Sequence, residues 1–200
     1  MMAILVVAAA WCGCQSNTAP VPEESAPSGN GSYPSNNSAD GLPAIDLIDQ
    51  YGRPVALPSL KGKPVLIDFI YATCPTACPI LTARFARIAR LLGPELGAKM
   101  TIVSVTIDPE HDHPAQLLAY AKSHQADCPG WLFLTGDPAS IDALLKVYRL
   151  KRERQPDGMI NHVATAFLLG ADGHQVRMYN AMEVPPATVV ADVDRAMPRG

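Results

Sequence analysis

Residues 65–79 have the sequence VLIDFIYATCPTACP, in which an apolar run leads directly to two cysteines. The run at 65–71 is nearly continuous in apolar and β-branched residues, which is typical of a strand buried on both faces in a largely parallel sheet. Pro79 suits the first turn of a helix, and apolar residues at helical spacing follow it as far as a Gly-Pro pair. The segment therefore predicts a buried strand and then a helix whose entrance lies beside Cys74 and Cys78.

Alternating strand and helix patterns continue along the rest of the chain. The predicted elements are a short hairpin at 45–57, strands at 65–71, 100–107, 131–134, 163–169 and 175–179, and helices at 79–92, 113–123, 138–148 and 187–197. Strands that alternate with helices predict parallel neighbours joined by right-handed crossovers. Only a Gly-Ala-Asp-Gly turn separates the last two strands, so they must pair antiparallel. We therefore predict an α/β, thioredoxin-like fold with a central mixed sheet flanked by helices and an N-terminal hairpin.

Length and composition limit the classes of protein to consider. The 200 residues allow one ordinary domain, because domains have roughly 100–200 residues. A hydrophobic fraction of 48% with 18% charged residues excludes fibrous and disordered classes. The net charge is -3 and the basic residues are scattered, so the chain carries no cationic patch for phosphates. We expect no nucleic-acid partner.

The first fourteen residues predict an export signal. The apolar run at 2–11 is much shorter than the roughly 20 residues needed to cross a bilayer, but it suits the core of a signal peptide. Gly13 before Cys14 resembles the lipobox of bacterial lipoproteins, whose cysteine becomes lipid-modified. Trp11 stands where a small aliphatic residue is usual, which leaves a plain secretory signal as the alternative. We expect residues 1–14 to be a lipoprotein-type signal with the anchor at Cys14.

A polar segment separates this signal from the folded part. Of the 29 residues at 15–43, 18 are Gly, Pro, Ser or Asn, and large apolar residues are almost absent. Such a segment cannot offset its loss of conformational entropy by burial. We predict a flexible tether at 15–43 and a single folded domain at 44–200, held near a membrane in a compartment where disulfides persist.

The two cysteines of the opening segment can act in more than one way. Residues four apart beside a helix start can approach on one face, so Cys74 and Cys78 can form a disulfide or together bind one metal ion. A helix N-terminus favours the thiolate, which is both the nucleophile and the metal ligand. A structural disulfide or two buried thiols is the simpler alternative. The strand-to-helix junction favours a functional pair, because α/β sheets place working residues there.

His162 directly precedes the predicted strand at 163–169. In a thioredoxin-like sheet the entrance to that strand lies beside the cysteine loop, although a lone histidine is ordinarily a surface or a core residue. Two thiolates and one imidazole form a soft three-coordinate set that suits Cu(I), whereas Cu(II) would recruit a further oxygen or water ligand. Structural zinc would usually need a fourth protein ligand.

Taken together, these motifs resemble the Sco/SenC family of copper-binding, thioredoxin-like proteins over residues 44–197. The resemblance is carried by GKP at 62–64, YATCPTACP at 71–79, SVTIDP at 104–109, FLTG at 133–136, and His162 ahead of a strand that ends near DG at 172–173. Two positions depart from the family: Asn161 stands where an aspartate is common, and Thr73 where a bulkier polar residue is common.

The resemblance implies the ligand set and the function. It puts Cys74, Cys78 and His162 at the family's three copper-ligand positions. It also implies a metallochaperone that binds one copper ion, Cu(I) or Cu(II), and assists assembly of the dinuclear copper centre of cytochrome c oxidase. The partner would be the oxidase's copper-accepting subunit, and the location would be the periplasmic side of the bacterial inner membrane. Such a protein is not an enzyme in the turnover sense.

Two other functions use the same cysteines. In the first, Cys74 and Cys78 are a redox-active pair of a thiol-disulfide oxidoreductase that reduces the cysteines of the copper acceptor or of another partner protein. The CxxxC spacing differs from the CxxC of thioredoxin and favours the metal interpretation. The second, a peroxidase-like thiol enzyme, lacks an activating base or arginine near Cys74 and ranks last.

Several other residues with metal-binding or thiol chemistry are left outside the predicted site. His111 and His113 lie in a charged loop that we interpret as solvated rather than as a second metal site. Asp108 is expected to end a strand and cap the following turn. Cys128 is expected to be a partly buried thiol.

Overall fold

Eight strands form one sheet in the computed structural model of the protein, which describes residues 32–33, 41–161 and 163–197. The predicted signal with its anchor at Cys14, most of the predicted tether, and His162 lie outside the described residues. The described residues form ten strands, of which all but β7 and β8 belong to this sheet: β1 (Ser32–Tyr33), β2 (Asp46–Asp49), β3 (Pro54–Ala56), β4 (Val65–Ile70), β5 (Thr101–Thr106), β6 (Trp131–Thr135), β7 (Glu153–Arg154), β8 (Ile160–Asn161), β9 (Thr165–Leu169) and β10 (Gln175–Asn180). The helices are α1 (Ala77–Leu92), α2 (Pro114–Ser123), α3 (Pro138–Val147) and α4 (Pro186–Ala196).

The sheet has the order β1-β10-β9-β4-β5-β6-β2-β3. Strands β4, β5 and β6 are parallel neighbours, and β9 pairs antiparallel with both β4 and β10. The hairpin of β2 and β3 joins the sheet through antiparallel pairing of β2 with β6. This arrangement confirms the predicted α/β, thioredoxin-like fold with its mixed sheet and N-terminal hairpin.

Strands β4 and β5 position the candidate site. Every residue of both strands is buried, and each strand has a neighbouring strand on both sides in the middle of the sheet. Their register pairs Ile70 with Thr106, so the two strands end side by side. The loop that follows β4 and the loop that follows β5 therefore lie next to each other at one edge of the sheet, where α/β folds commonly place their functional residues.

The helix after β4 begins slightly earlier than the sequence predicts. Helix α1 starts at Ala77 rather than at Pro79, so Cys78 lies within its first turn and Cys74 lies in the loop before it. Pro79 is tolerated at the third helical position because the first four N–H groups of a helix have no acceptor within it. The proline thus marks the first turn and not the first residue.

The segment around His162 also differs from the prediction. Strand β9 begins at Thr165, not at 163, because the Thr165 amide donates to the Val163 carbonyl at 2.9 Å in a turn before the strand. A small two-stranded sheet of β7 and β8, which the sequence did not predict, precedes that turn. In the chain, His162 therefore directly follows β8 and precedes β9 by three residues.

Part of the predicted tether is structured. Strand β1 pairs antiparallel with β10, with Ser32 opposite Tyr179. Leu42 is only 5% exposed and belongs to the core, so the packed region begins before Ala44. Composition could not indicate β1, because its pairing uses backbone groups and needs no apolar side chain. Across the described ranges, no helix has both the length and the apolar character required to cross a membrane.

Candidate metal centre

The structure brings Cys74 and Cys78 together at the start of α1. The Cys74 amide donates to the Tyr71 carbonyl at 3.2 Å, which turns the chain directly after β4. The Cys78 amide donates to the Cys74 sulfur at 3.4 Å, so this sulfur lies at the first turn of the helix. Cys74 is 7% exposed and Cys78 is fully buried, and both are thiols.

The pKa of Cys74 and that of Cys78 shift in opposite directions. Burial acts to raise the pKa of Cys74, but hydrogen bonds to its sulfur from the Cys78 and Thr76 amides and from nearby side chains outweigh burial and lower the pKa. Burial raises the pKa of Cys78, and the negative charge of Cys74 raises it further. Cys74 therefore ionises first, and Cys78 keeps its proton. The more exposed sulfur is also the better nucleophile and the readier metal ligand.

Tyr71, the residue directly after β4, contacts both sulfurs and was not predicted from the sequence. Its backbone N–H donates to the Cys78 sulfur, and its hydroxyl donates to the Cys74 sulfur. The same hydroxyl oxygen accepts from the Ile160 amide at 3.4 Å. No sequence signal links Tyr71 to Ile160, because the two residues are 89 positions apart.

Asp112 fixes the cysteine loop from the neighbouring loop after β5. Its Oδ2 accepts hydrogen bonds from the Ala72 amide at 2.9 Å and from the Thr106 hydroxyl at 2.6 Å. Asp112 is 1% exposed, so its carboxylate relies on these two donors in place of bulk water. The sequence signal for Asp112 was weak, since it lies in a charged loop that we interpreted only as solvated.

Asp108 has a larger structural role than the predicted turn cap. Its carbonyl accepts from the amides of His111 and Asp112, as expected for a turn. Its carboxylate is buried and also accepts hydrogen bonds from Arg154 at 2.5 Å and from the His111 ring at 2.8 Å. Because Arg154 belongs to β7, the Arg154–Asp108 ion pair connects the small β7–β8 sheet to the loop after β5.

A buried carboxylic acid lies in the centre of β4. Asp68 Oδ1 accepts from the Ser104 hydroxyl at 2.6 Å, and the Trp131 indole N–H donates to the same Ser104 oxygen at 3.0 Å. Asp68 Oδ2 has no hydrogen-bond partner among the described residues. Burial raises the pKa of Asp68 to about 7. The charge of an ionised Asp68 contributes to the raised pKa of Cys78.

The other residues that the sequence singled out lie outside the cysteine pair. His111 and His113 are exposed, and His111 is engaged with Asp108. Cys128 is a buried thiol, 7% exposed. Thr73 and Asn161 are both exposed. Within the described ranges, no group of three or more His, Cys, Asp or Glu side chains could hold a metal ion. The three-ligand set with His162 stays a prediction, because His162 lies outside those ranges.

Comparisons with known proteins agree with the motifs and with the fold. The SCO1/SenC family model matches residues 35–198. The SCO1 protein homolog of Bacillus subtilis strain 168 is 33% identical over 152 residues, which are 74% of this chain and 78% of the relative. The structure of Bradyrhizobium japonicum ScoI with copper bound is 33% identical, with a TM-score of 0.67 over 78% of this chain and 98% of that one. A SCO1/SenC family lipoprotein from Bacillus anthracis str. Ames is 25% identical, with a TM-score of 0.72 over 78% of this chain and 94% of that one.

Proposed function

The chain belongs to the SCO1/SenC family, and we propose that it binds one copper ion through Cys74, Cys78 and His162 and assists assembly of the dinuclear copper centre of cytochrome c oxidase. The observation that carries the proposal is the adjacent pair of thiols at the start of α1. A structural neighbour with 33% identity over nearly its whole length is a copper-bound protein.

The chemistry of the pair supports a soft metal ion as cargo. Thiolates are ligands that select Cu(I), and imidazole is also suitable for copper. Because the pKa of Cys74 is lowered, this sulfur is prepared to bind an incoming cation. Cys78 must lose its proton when the ion binds, so copper binding at this site releases at least one proton.

Limited exposure of the sulfurs supports transfer to a protein acceptor. Cys74 is 7% exposed, so a thiol or imidazole of the acceptor can reach the ion from that side, whereas Cys78 is fully buried. Ile80, next in the chain after Pro79, is 52% exposed, and Val163 is 67% exposed. These two apolar side chains adjoin the proposed ligands in the chain and would supply hydrophobic contacts for the copper-accepting subunit of the oxidase.

Attachment to a membrane is a second part of the proposal. We place the protein on the periplasmic side of the bacterial inner membrane, anchored by a lipid on Cys14. Support comes from the apolar run and Gly13-Cys14 of the sequence, and a relative of the same family from B. anthracis is a lipoprotein. Replacing Cys14 with Ser should move the protein from the membrane fraction to the soluble fraction. Retention in the membrane fraction would contradict the lipid anchor.

Copper binding is tested by anaerobic titration of the reduced protein with Cu(I) in competition with a chromophoric chelator. Cys74→Ser, Cys78→Ser and His162→Ala should each weaken Cu(I) binding by at least about tenfold, the effect of roughly 1.4 kcal/mol. Cys128→Ser and His111→Ala are matched controls outside the proposed set and should bind as the unmodified protein does. Unchanged affinity of His162→Ala would refute the three-ligand set.

The same variants separate copper delivery from disulfide exchange. A thiolate pair exchanges disulfides without an imidazole, so His162→Ala should keep its rate against a small disulfide substrate while losing copper. Cys74→Ser should lose both activities. If His162→Ala kept full Cu(I) and Cu(II) affinity and supported oxidase assembly in cells, the thiol-disulfide oxidoreductase would become the better interpretation.

A further inference from the structure

Tyr71 joins the cysteine loop to the segment that leads to His162. Its ring is held directly after β4, and the residue is 2% exposed. Its hydroxyl donates to the Cys74 sulfur and accepts from the Ile160 amide at 3.4 Å. One oxygen atom therefore bridges a proposed copper ligand and the backbone of β8.

The bridge has a rigid base. Tyr71 is attached to the end of a strand that is buried on both faces, its carbonyl accepts from the Cys74 amide at 3.2 Å, and its own N–H donates to the Cys78 sulfur. Together with the two hydrogen bonds of its hydroxyl, to the Cys74 sulfur and from the Ile160 amide, four polar contacts hold this residue between the two sulfurs and β8. The position of the hydroxyl is set by the sheet and not by a flexible loop.

The small β7–β8 sheet depends on such contacts for its position. Each of its strands has two residues, and among the described residues the two strands form a sheet separate from the main one. A two-stranded hairpin is marginally stable by itself in water. The contacts that tie it to the rest of the fold include the Arg154–Asp108 ion pair and the Tyr71–Ile160 hydrogen bond. The Tyr71–Ile160 hydrogen bond holds the residue that is two positions before His162 in the chain.

We propose that the Tyr71 hydroxyl is a positioning group that couples the Cys74 sulfur to β8, so that the segment leading to His162 is oriented before copper arrives. This inference rests on the proposed copper function. Ordering a segment in advance lowers the entropy lost on binding, which strengthens binding without a new metal contact. Tyr71 itself is not a copper ligand in this arrangement.

The substitution Tyr71→Phe removes only the hydroxyl and keeps the ring in the core. The matched control is Tyr179→Phe, since Tyr179 is also buried and its hydroxyl donates to Asp192 at 2.9 Å, in a contact that involves neither cysteine nor β8. Far-UV circular dichroism checks that both variants fold.

The first readout is the exchange rate of the Ile160 amide proton in the reduced, metal-free protein, measured by NMR. It should rise about tenfold in Tyr71→Phe, the effect of losing one hydrogen bond, and stay unchanged in Tyr179→Phe.

The second readout is Cu(I) affinity in a double-mutant cycle of Tyr71→Phe and His162→Ala. Tyr71→Phe should weaken Cu(I) binding about tenfold when His162 is present. In the His162→Ala background the same substitution should change affinity less than about twofold, because no ligand remains for β8 to position.

Different results would contradict the copper-ligand set, the coupling through Tyr71 and the hydrogen-bond bridge. If His162→Ala alone leaves Cu(I) affinity unchanged, the proposed ligand set is wrong, and the coupling is wrong with it. If His162→Ala weakens binding but Tyr71→Phe has the same effect in both backgrounds, the ligand set stands and the coupling is wrong. An Ile160 amide that exchanges equally fast in the unmodified protein and in Tyr71→Phe would overturn the bridge itself.

Discussion

The buried carboxyl of Asp68 should make the stability of this protein decrease with rising pH. Its pKa is raised by burial to about 7 from an ordinary value of 3.8. The unfolded chain releases this proton near pH 4, whereas the folded chain keeps it until about pH 7, so the carboxyl contributes its full stability only below pH 4. At about 1.36 kcal/mol per pKa unit, an ionised Asp68 destabilises the fold by up to about 4 kcal/mol above pH 7.

The substitution Asp68→Asn tests this reasoning. The amide keeps the shape of the carboxyl and an oxygen for the Ser104 hydroxyl, and it does not titrate. Its unfolding free energy should match that of the unmodified protein near pH 4 and exceed it by about 2 to 4 kcal/mol at pH 8. The comparison uses urea unfolding of reduced, metal-free protein followed by circular dichroism. Asp46→Asn, at an exposed position of β2, makes the same atomic change as a control.

The refuting result is a difference between Asp68→Asn and the unmodified protein that stays constant between pH 4 and pH 8. A second readout connects Asp68 to the site: its charge contributes to the raised pKa of Cys78, so Asp68→Asn should lower that pKa. Cys78 should then be alkylated faster at pH 8 than in the unmodified protein. Mass spectrometry of the Cys78 peptide measures the rate.

Three other outcomes are expected. At pH 7 iodoacetamide should modify Cys74 at least about tenfold faster than Cys78, because only Cys74 has a lowered pKa, and peptide mass spectrometry checks the ratio. Gly130→Ala should destabilise the fold by about 3 kcal/mol or more, because φ is +87° and the new Cβ would collide with neighbouring backbone. Gly158→Ala, with φ of +84° and open space, should lose only about 1 kcal/mol in the same urea assay. Asp112→Ala should lose about 2 to 4 kcal/mol because the half-buried Ala72 amide and the buried Thr106 hydroxyl lose their acceptor, and Asp112→Asn should recover most of it; equal losses would contradict this account.

Most of the fold could be predicted because its central strands are buried on both faces. A continuous apolar run at 65–71 matches β4 (Val65–Ile70), and the run at 100–107 matches β5 (Thr101–Thr106). The sheet of β7 and β8 could not be predicted in this way. Its strands have two residues each and one buried side chain between them, so no hydrophobic period exists for a pattern to detect.

The candidate site was predictable only where its residues are close in sequence. Cys74 and Cys78 follow from their spacing and from the helix that begins beside them. The contact of Ala72 with Asp112 spans 40 positions and depends on the register of β4 with β5, which brings the two loops together. Sequence patterns give the strands but not this register, so the residues that hold the cysteine loop in place become visible only in the folded structure.

The difference between the two thiols arises from the fold rather than from their local sequence. Cys78 is fully buried in the first turn of α1, and both its burial and the negative charge of Asp68 raise its pKa. Cys74 lies four residues earlier, in the loop before α1, where amide hydrogen bonds stabilise its thiolate. If Cys74 and Cys78 bind copper as proposed, an ion that enters from solvent would meet the Cys74 thiolate first, and Cys78 would lose its proton only as the second Cu–S bond forms. Release to an acceptor would reverse this order, so protonation of Cys78 would favour transfer while Cys74 still held the ion.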